Sequence, residues 1–205
     1  YDMQNIAVAD YTSLELAVSL LKEFAIGFAM GAVIQMFMAI FHMGGEMIDL
    51  QMGISMALMY DPTSNSQVSI SGNLLTAMYT LLFFVTDSHL NLMAIAVKSY
   101  NVLPLGFEQI NSKIGLYFAE LFGYILIYAV QLALPIIVTE IIIEVAVGIL
   151  MRVVPNINVF VVNLQLKVIV GLIVIVTIIP MLVRFLERMN MIMMERIGEA
   201  LMMMV

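Results

Sequence analysis

The chain alternates between long apolar stretches and short polar breaks, a pattern typical of helices. Thr12-Ser13-Leu14-Glu15 has the form of a capping box, which predicts a helix that begins after Thr12. The 22 residues from 24 to 45 contain no Asp, Glu, Lys or Arg, and such a stretch is long enough to cross a bilayer core. We expect Gly44-Gly45 to interrupt or bend this helix, and an amphipathic stretch to follow from Glu46 to Tyr60.

Small residues recur within the first apolar stretch. Gly27 and Gly31 have the spacing of a GxxxG motif, which allows two helix backbones to approach each other closely. The motif predicts a tightly packed helix pair.

Two further apolar stretches are too short to cross a bilayer separately. Residues 74–85 would form a helix of about 18 Å, and residues 90–97 are fewer still. Asp87 and His89 lie between them, so both would reach bilayer depth if the two arms began at one membrane face. Such polar groups are tolerated only inside protein or beside water. The pattern predicts a helical hairpin that is buried in an assembly.

The second half of the chain predicts two long helices. One extends from about Ile114 to Val153, with a kink expected at Pro135, and another follows the turn at residues 154–158, with a kink at Pro180. No alternation typical of strands is present in the sequence. We therefore expect one all-α domain over residues 1–205, built from kinked, membrane-associated helical hairpins.

Composition changes this picture by excluding a free soluble monomer. Apolar residues make up 63% of the 205 residues and charged residues only 11%, whereas soluble domains are about 45–50% apolar and about 25% charged. The formal net charge of −7 without a basic cluster argues against nucleic acid as a ligand. With no Cys and two His, we expect no metal and no cofactor. The sequence also lacks the HExxH, GxSxG and Walker A patterns, so we expect no enzyme activity.

Ionisable residues in apolar surroundings are the first candidates for function. They form ion pairs between helices or lie outside the bilayer, or else they form a proton relay, and structural pairing is the favoured interpretation. Acids without nearby bases indicate partners on other chains. The set comprises Glu46, Asp49, Asp87, His89, Glu140, Glu144, Arg152 and Lys167.

Methionine is the second unusual feature, with 20 residues in the chain. Many of them lie around Gly44-Gly45, between Met36 and Met59. Flexible thioethers fill irregular gaps in a core, which is the simpler interpretation. The alternative is a compliant seal that parts for a passing chain and closes again.

The order of several motifs resembles that of the FliR/SctT family, the export-gate component of flagellar and virulence type III secretion systems. Each motif is weak alone, and their order over residues 24–180 carries the resemblance. The matching segments are Gly44-Gly45-Glu46-Met47-Ile48-Asp49-Leu50-Gln51-Met52-Gly53, Asp61-Pro62, Leu82-Phe83-Phe84 with His89, Leu103-Pro104-Leu105-Gly106, Ala133-Leu134-Pro135, Arg152-Val153-Val154-Pro155-Asn156-Ile157-Asn158-Val159-Phe160, Leu166-Lys167 and Gly171.

The resemblance implies a helical, multi-subunit assembly in the bacterial inner membrane, raised largely to the periplasmic side. Implied partners are FliP/SctR-type subunits, FliQ/SctS-type subunits, an FlhB/SctU-type switch protein, membrane lipid and unfolded export substrates. The motifs favour the flagellar basal body over an injectisome. The family has an additional N-terminal helical region before the counterpart of Tyr1, so we expect this chain to be processed, truncated or incomplete.

The resemblance also implies a plug that projects into the pore from residues 52–67. The expected seal residues are Met52, Ile54, Met56, Leu58, Met59 and Tyr60. Gly53, Asp61 and Pro62 are expected to shape the plug loop, while Gly27, Gly31, Gly44, Gly45 and Pro135 serve helix bending and packing. Two alternatives stay open: an ion-coupled transporter that uses intramembrane carboxylates, and a scaffold that only holds neighbouring subunits.

Overall fold

A computed structural model describes residues 12–55, 69–102, 113–153 and 159–204. Within those ranges the chain forms five main helices and no strand, which confirms the all-α prediction. The helices are α1 (Ser13–Gln51), α2 (Ile70–Val85), α3 (Ser88–Val102), α4 (Ile114–Val153) and α5 (Val159–Met203).

The start of α1 follows from local chemistry. Thr12 is the N-cap, and its hydroxyl oxygen accepts a hydrogen bond from the Glu15 N–H at 3.4 Å. The Glu15 carboxylate accepts in return from the Thr12 N–H at 2.9 Å. This reciprocal pair satisfies N–H groups that lack a partner in a helix's first turn, and it confirms the predicted capping box.

The expected interruption at Gly44-Gly45 is wrong, because α1 continues through both glycines to Gln51. Residues 46–51 are therefore the end of α1 and not the start of a separate amphipathic helix. Both glycines are buried where α2 and α4 approach α1. Close packing there offsets the weak helix propensity of glycine, so the pair marks a contact and not a helix end.

Side-chain contacts define the directions of the helices. Gly44 lies beside Leu132 and Ala129 of α4, while Ile26 lies near the start of α4, so α1 and α4 run in the same direction. Gly45 meets Gly72 near the start of α2, and Phe41 stacks on Tyr79 further along it, so α2 runs in the opposite direction to α1. Met52 meets Gly171 of α5, and Ile26 lies in one cluster with Leu201 near the end of α5, so α5 also runs opposite to α1. The main core lies between α1, α4, α5 and α2.

Among the described residues, three helices, α1, α4 and α5, are long and apolar enough to cross a membrane. With 39, 40 and 45 residues they measure about 58, 60 and 68 Å, roughly twice the hydrocarbon thickness. Only 33%, 17% and 11% of their most apolar windows are buried within the chain. Most of this apolar surface therefore needs lipid or other chains to cover it.

The short arms predicted from sequence are present as α2 and α3, with a break at Thr86-Asp87. The two helices are bent by 71° at this break, so they form a sharply bent pair and do not fold back on each other as a full hairpin. Asp87 has a φ of 55°, and its carbonyl accepts hydrogen bonds from the first N–H groups of α3. If the bent pair counts as one span, the described residues contain up to four helical segments that could span a membrane by length and composition.

Candidate functional site

The end of α1 and the start of α2 form a closely packed polar junction. Asp49 is 2% exposed and accepts hydrogen bonds from the Ser69 hydroxyl at 2.7 Å and the Ser71 N–H at 3.2 Å. The Ser69 hydroxyl oxygen in turn accepts from the Gly72 N–H at 2.9 Å. A carboxylate at this position satisfies free N–H groups and complements the positive end of the α2 dipole. Asp49 thus fixes where α2 begins relative to α1.

Glycine is required at this junction for steric reasons. A Cβ on Gly45 would lie 2.2 Å from both the Cα and the N of Gly72, and backbone atoms cannot move aside as a flexible side chain can. The predicted packing role of Gly45 therefore has a defined partner. Gly44 is similarly close to Leu132, at 2.7 Å from a Cβ to the Cδ2 atom.

Only the first part of the predicted plug lies within the described residues. The Met52 side chain is fully buried and lies against Gly171 of α5, where a Cβ would come within 2.6 Å of the Met52 Cε. Gly53 has a φ of +74°, and Ile54 is partly buried against the core. The first residues of the predicted plug, Met52 and Ile54, are therefore packed against α5 and the core within the chain. The other predicted plug residues, Met56, Leu58, Met59, Tyr60, Asp61 and Pro62, lie outside the described residues.

Three of the predicted ionisable residues, Glu140 and Glu144 of α4 and Lys167 of α5, meet in one seam. The Lys167 ammonium of α5 forms an ion pair with the Glu144 carboxylate of α4. The Lys167 side chain is 12% exposed and that of Glu144 51%. Glu140, one turn before Glu144, is fully buried, and neither of its carboxylate oxygens has a hydrogen-bond partner in the described part of the chain. The seam thus holds two carboxylates and one ammonium.

The remaining predicted polar residues have separate surroundings. Asp87 is exposed at the break, and His89 packs against the Phe84 ring at 5.3 Å, with its Nδ1 atom buried and unpartnered among the described residues. Glu46 is exposed on α1, and Arg152 is exposed in the last turn of α4. The structure brings Glu140, Glu144 and Lys167 into one seam and places the other predicted ionisable residues elsewhere.

The GxxxG glycines, Gly27 and Gly31, lack close neighbours such as those of Gly44 and Gly45 in the described part of the chain. A Cβ on Gly27 or Gly31 would meet no atom within 4 Å, and both glycines are exposed. The described part of the chain therefore supplies no helix for the predicted tight pair, which stays a prediction about another chain. Pro135 lies inside the unbroken α4, where its carbonyl accepts from the Thr139 hydroxyl at 2.8 Å.

Sequence reasoning missed a buried polar cluster between α2, α3 and α5. Ser88 and Asn190 are 3% and 6% exposed, and the Asn190 amide donates to the Ser88 hydroxyl. The Tyr79 hydroxyl donates to the Asn190 Oδ1 at 3.3 Å, and its ring stacks on Phe41 of α1 at 4.5 Å. The available signal was an asparagine among methionines in an apolar helix, because such a residue needs a partner when buried.

A second missed contact joins α4 to the end of α5. The Tyr117 hydroxyl donates to the Arg196 carbonyl at 2.8 Å, and the Arg196 guanidinium pairs with Glu199 at 2.6 Å. The guanidinium also lies over the Tyr124 ring at 5.3 Å from its centroid. In the described residues no three His, Asp or Glu side chains converge in the way that a metal ion requires.

Comparison with known proteins matches residues 3–193 to the bacterial export proteins, family 1. The flagellar biosynthetic protein FliR of Escherichia coli K12 is 31% identical over 156 residues, which are 76% of this chain and 59% of that protein. FliR of Pectobacterium carotovorum is 34% identical over 141 residues, 69% of this chain and 54% of the relative.

A virulence-type relative is also similar. The Yop proteins translocation protein T of Yersinia pestis is 29% identical over 141 residues, 68% of this chain and 54% of that protein. The chain thus spans little more than half the length of these curated relatives. Both branches of the resemblance seen in the sequence are represented among them.

Proposed function

Because the chain belongs to family 1 of the bacterial export proteins, the FliR/SctT family of type III secretion, we propose that it is a pore-forming structural component of the export gate. Its function would be to gate the passage of unfolded substrate proteins, without bond chemistry. We place it in the flagellar system, since the relatives at 31% and 34% identity are flagellar proteins. Its location would be the inner membrane at the flagellar basal body, with the gate raised to the periplasmic side.

One observation carries the gating proposal: Met52, the residue that follows the last turn of α1, is anchored where the predicted plug of residues 52–67 begins. It is packed against Gly171, and Gly53 then turns the chain through a positive φ. This arrangement would hold the base of the plug in place. The rest of the plug would then seal the pore by excluding water and ions, and substrate would displace it. Flexible thioethers suit a seal that must close repeatedly.

The exposed apolar surface supports a multi-subunit setting. At most a third of each long helix's most apolar window is covered by the chain itself. We propose that FliP/SctR-type and FliQ/SctS-type subunits, an FlhB/SctU-type switch protein and lipid cover the remainder. Mass measurement of the purified complex tests this assignment. One copy of this chain should travel with about half a dozen related subunits, and a monomer that crosses lipid alone would contradict it.

The plug is tested by ion conductance. Replacing Met56 and Met59 together with alanine should raise the ion leak of reconstituted complexes without abolishing assembly, because the smaller side chains leave gaps that admit water. The matched control replaces Met191 and Met202, which are 66% and 70% exposed on α5, with alanine. That control should leave conductance unchanged. Equal conductance for the Met56 and Met59 variant and the native complex would remove these residues as the seal.

A second candidate function rests on Glu140. A buried carboxyl without a hydrogen-bond partner among the described residues is a feature that ion-coupled transporters use. In that case Glu140→Gln would stop transport while the complex still assembled. In the gate proposal the same variant assembles and continues to export.

A third possibility, a scaffold without a gate, predicts that deletion of residues 54–60 leaves permeability unchanged.

A further inference from the structure

The break between α2 and α3 lacks the residues that usually bend a helix. Residues 86–89 are Thr-Asp-Ser-His, without proline or glycine, yet the two helices are bent by 71°. Asp87 adopts a φ of 55°, in the left-handed region that Asp enters more readily than most residues with a Cβ. The Thr86 and Asp87 N–H groups donate to the Leu82 and Phe84 carbonyls, which ends α2 locally. Contacts with the rest of the chain then hold α3 at its angle to α2.

Those contacts form a chain of hydrogen bonds that ends on α5. The Thr86 hydroxyl lies 2.7 Å from the Ser88 hydroxyl and donates to the Leu82 carbonyl at 2.9 Å. Ser88 in turn accepts from the amide of Asn190, which also accepts from Tyr79. In an apolar bundle, a buried hydrogen bond fixes one arrangement because any other leaves its polar groups unpaired. Asn190 thus ties the break to α5.

The surroundings of this bond allow a second arrangement. Met193 contacts the Tyr79 hydroxyl through its sulfur at 3.3 Å, and Met189 is buried in the same core. Thioether side chains repack easily when a neighbour moves. On the other side, the outer face of α2 up to Phe84 and Val85, beside the break, is exposed within the described part of the chain.

Straightening the bend between α2 and α3 would change the distance that this part of the chain can span. With 16 and 15 residues, α2 and α3 measure about 24 and 22 Å, and neither crosses about 30 Å of hydrocarbon. Straightened at the break, they would form one helix of about 50 Å. We propose that the hydrogen bond between Ser88 and Asn190 is a latch that keeps α2 and α3 bent, and that it opens when the channel admits a substrate. This inference rests on the proposed export function.

A reversible cross-link tests the latch directly. Ser88→Cys combined with Asn190→Cys, in the complete complex, should form a disulfide under oxidation and fix the bent state. Export should then be lost, and reductant should restore it. The controls are the single variants Ser88→Cys and Asn190→Cys, which cannot form this disulfide, so the export of each should not differ between the two redox states. Equal export by the oxidised and reduced Ser88–Asn190 pair would overturn the latch.

A distance measurement keeps the proposal testable if the disulfide does not form. Spin labels at Asn73→Cys and Asn91→Cys occupy exposed positions on α2 and α3. Adding Asn190→Leu, which cannot hydrogen-bond, should lengthen or broaden the distance between the labels. An unchanged distance distribution would show that the bend does not depend on this bond. The two proposals can fail separately. If the Met56 and Met59 variant has the conductance of the native complex but Asn190→Leu changes the label distance, the plug is rejected and the latch is retained.

Discussion

Helix α1 carries two pairs of glycines with opposite surroundings. Gly44 and Gly45 are buried against α4 and α2, and a Cβ on Gly45 would overlap the Gly72 backbone. Gly27 and Gly31 face open space. The same residue type on one helix thus serves contacts within the chain at one end and is available for contacts with another chain at the other. A small-residue motif predicts close approach, but the partner depends on which helices the chain itself supplies.

The largest expected effect comes from adding a methyl group at Gly45, in the buried glycine pair of α1. Gly45→Ala should lower the free energy of unfolding by about 3 kcal/mol, because both clashing atoms belong to backbone. Thermal unfolding in detergent, followed by circular dichroism, measures the effect. Gly123→Ala is the matched control on α4, since its Cβ would meet nothing within 4 Å. We expect that control to gain about 0.5–1 kcal/mol from helix propensity. Equal midpoints for the two variants would erase the distinction between packed and open glycines.

A smaller effect is expected from replacing Asp49, the buried carboxylate at the junction of α1 and α2. Asp49→Ala leaves the Ser69 and Ser71 donors without their acceptor and should lower stability by about 1–3 kcal/mol. Asp49→Asn keeps one acceptor oxygen and should lose less. The same unfolding assay ranks the two variants. If alanine and asparagine were equally harmless, the carboxylate would have no part in placing α2.

The smallest effect within the chain belongs to the open glycines. Gly27→Ala with Gly31→Ala should leave the isolated chain unchanged or raise its stability by about 1 kcal/mol, since alanine is the better helix former. In the assembled complex the same pair should weaken co-purification of other subunits, because a close helix contact has no room for the added methyl groups. Unchanged co-purification would show that no helix packs tightly on this face.

Local features were predictable from sequence because their partners lie nearby in the chain. Thr12 and Glu15 are three positions apart, so the capping box could be recognised directly. The break before Ser88 was visible as a polar interruption, but its 71° bend was not, because the Ser88–Asn190 bond spans 102 positions. Neither composition nor periodicity indicates which distant helix supplies a partner.

The ionisable residues also divide into what sequence predicts, their positions, and what it does not, their partners on distant helices. Their positions in apolar stretches made Glu140, Glu144 and Lys167 candidates at once, and pairing was the favoured interpretation. The structure confirms pairing for Glu144 with Lys167 and leaves Glu140 unpartnered in the described residues. Which of the two acids, one turn apart on α4, meets the lysine depends on the relative register of α4 and α5. That register is set by contacts along both helices, such as Tyr117 with the Arg196 carbonyl.

The contact between Met52 and Gly171 has a mechanical consequence. The thioether occupies the space that any larger residue at position 171 would need, so the end of α1 and the middle of α5 are locked in axial register. A pull on the residues that follow Met52 must therefore either extract this side chain or carry α5 with it. A force applied at one point on the chain is thereby shared between two helices, through residues that are 119 positions apart in sequence.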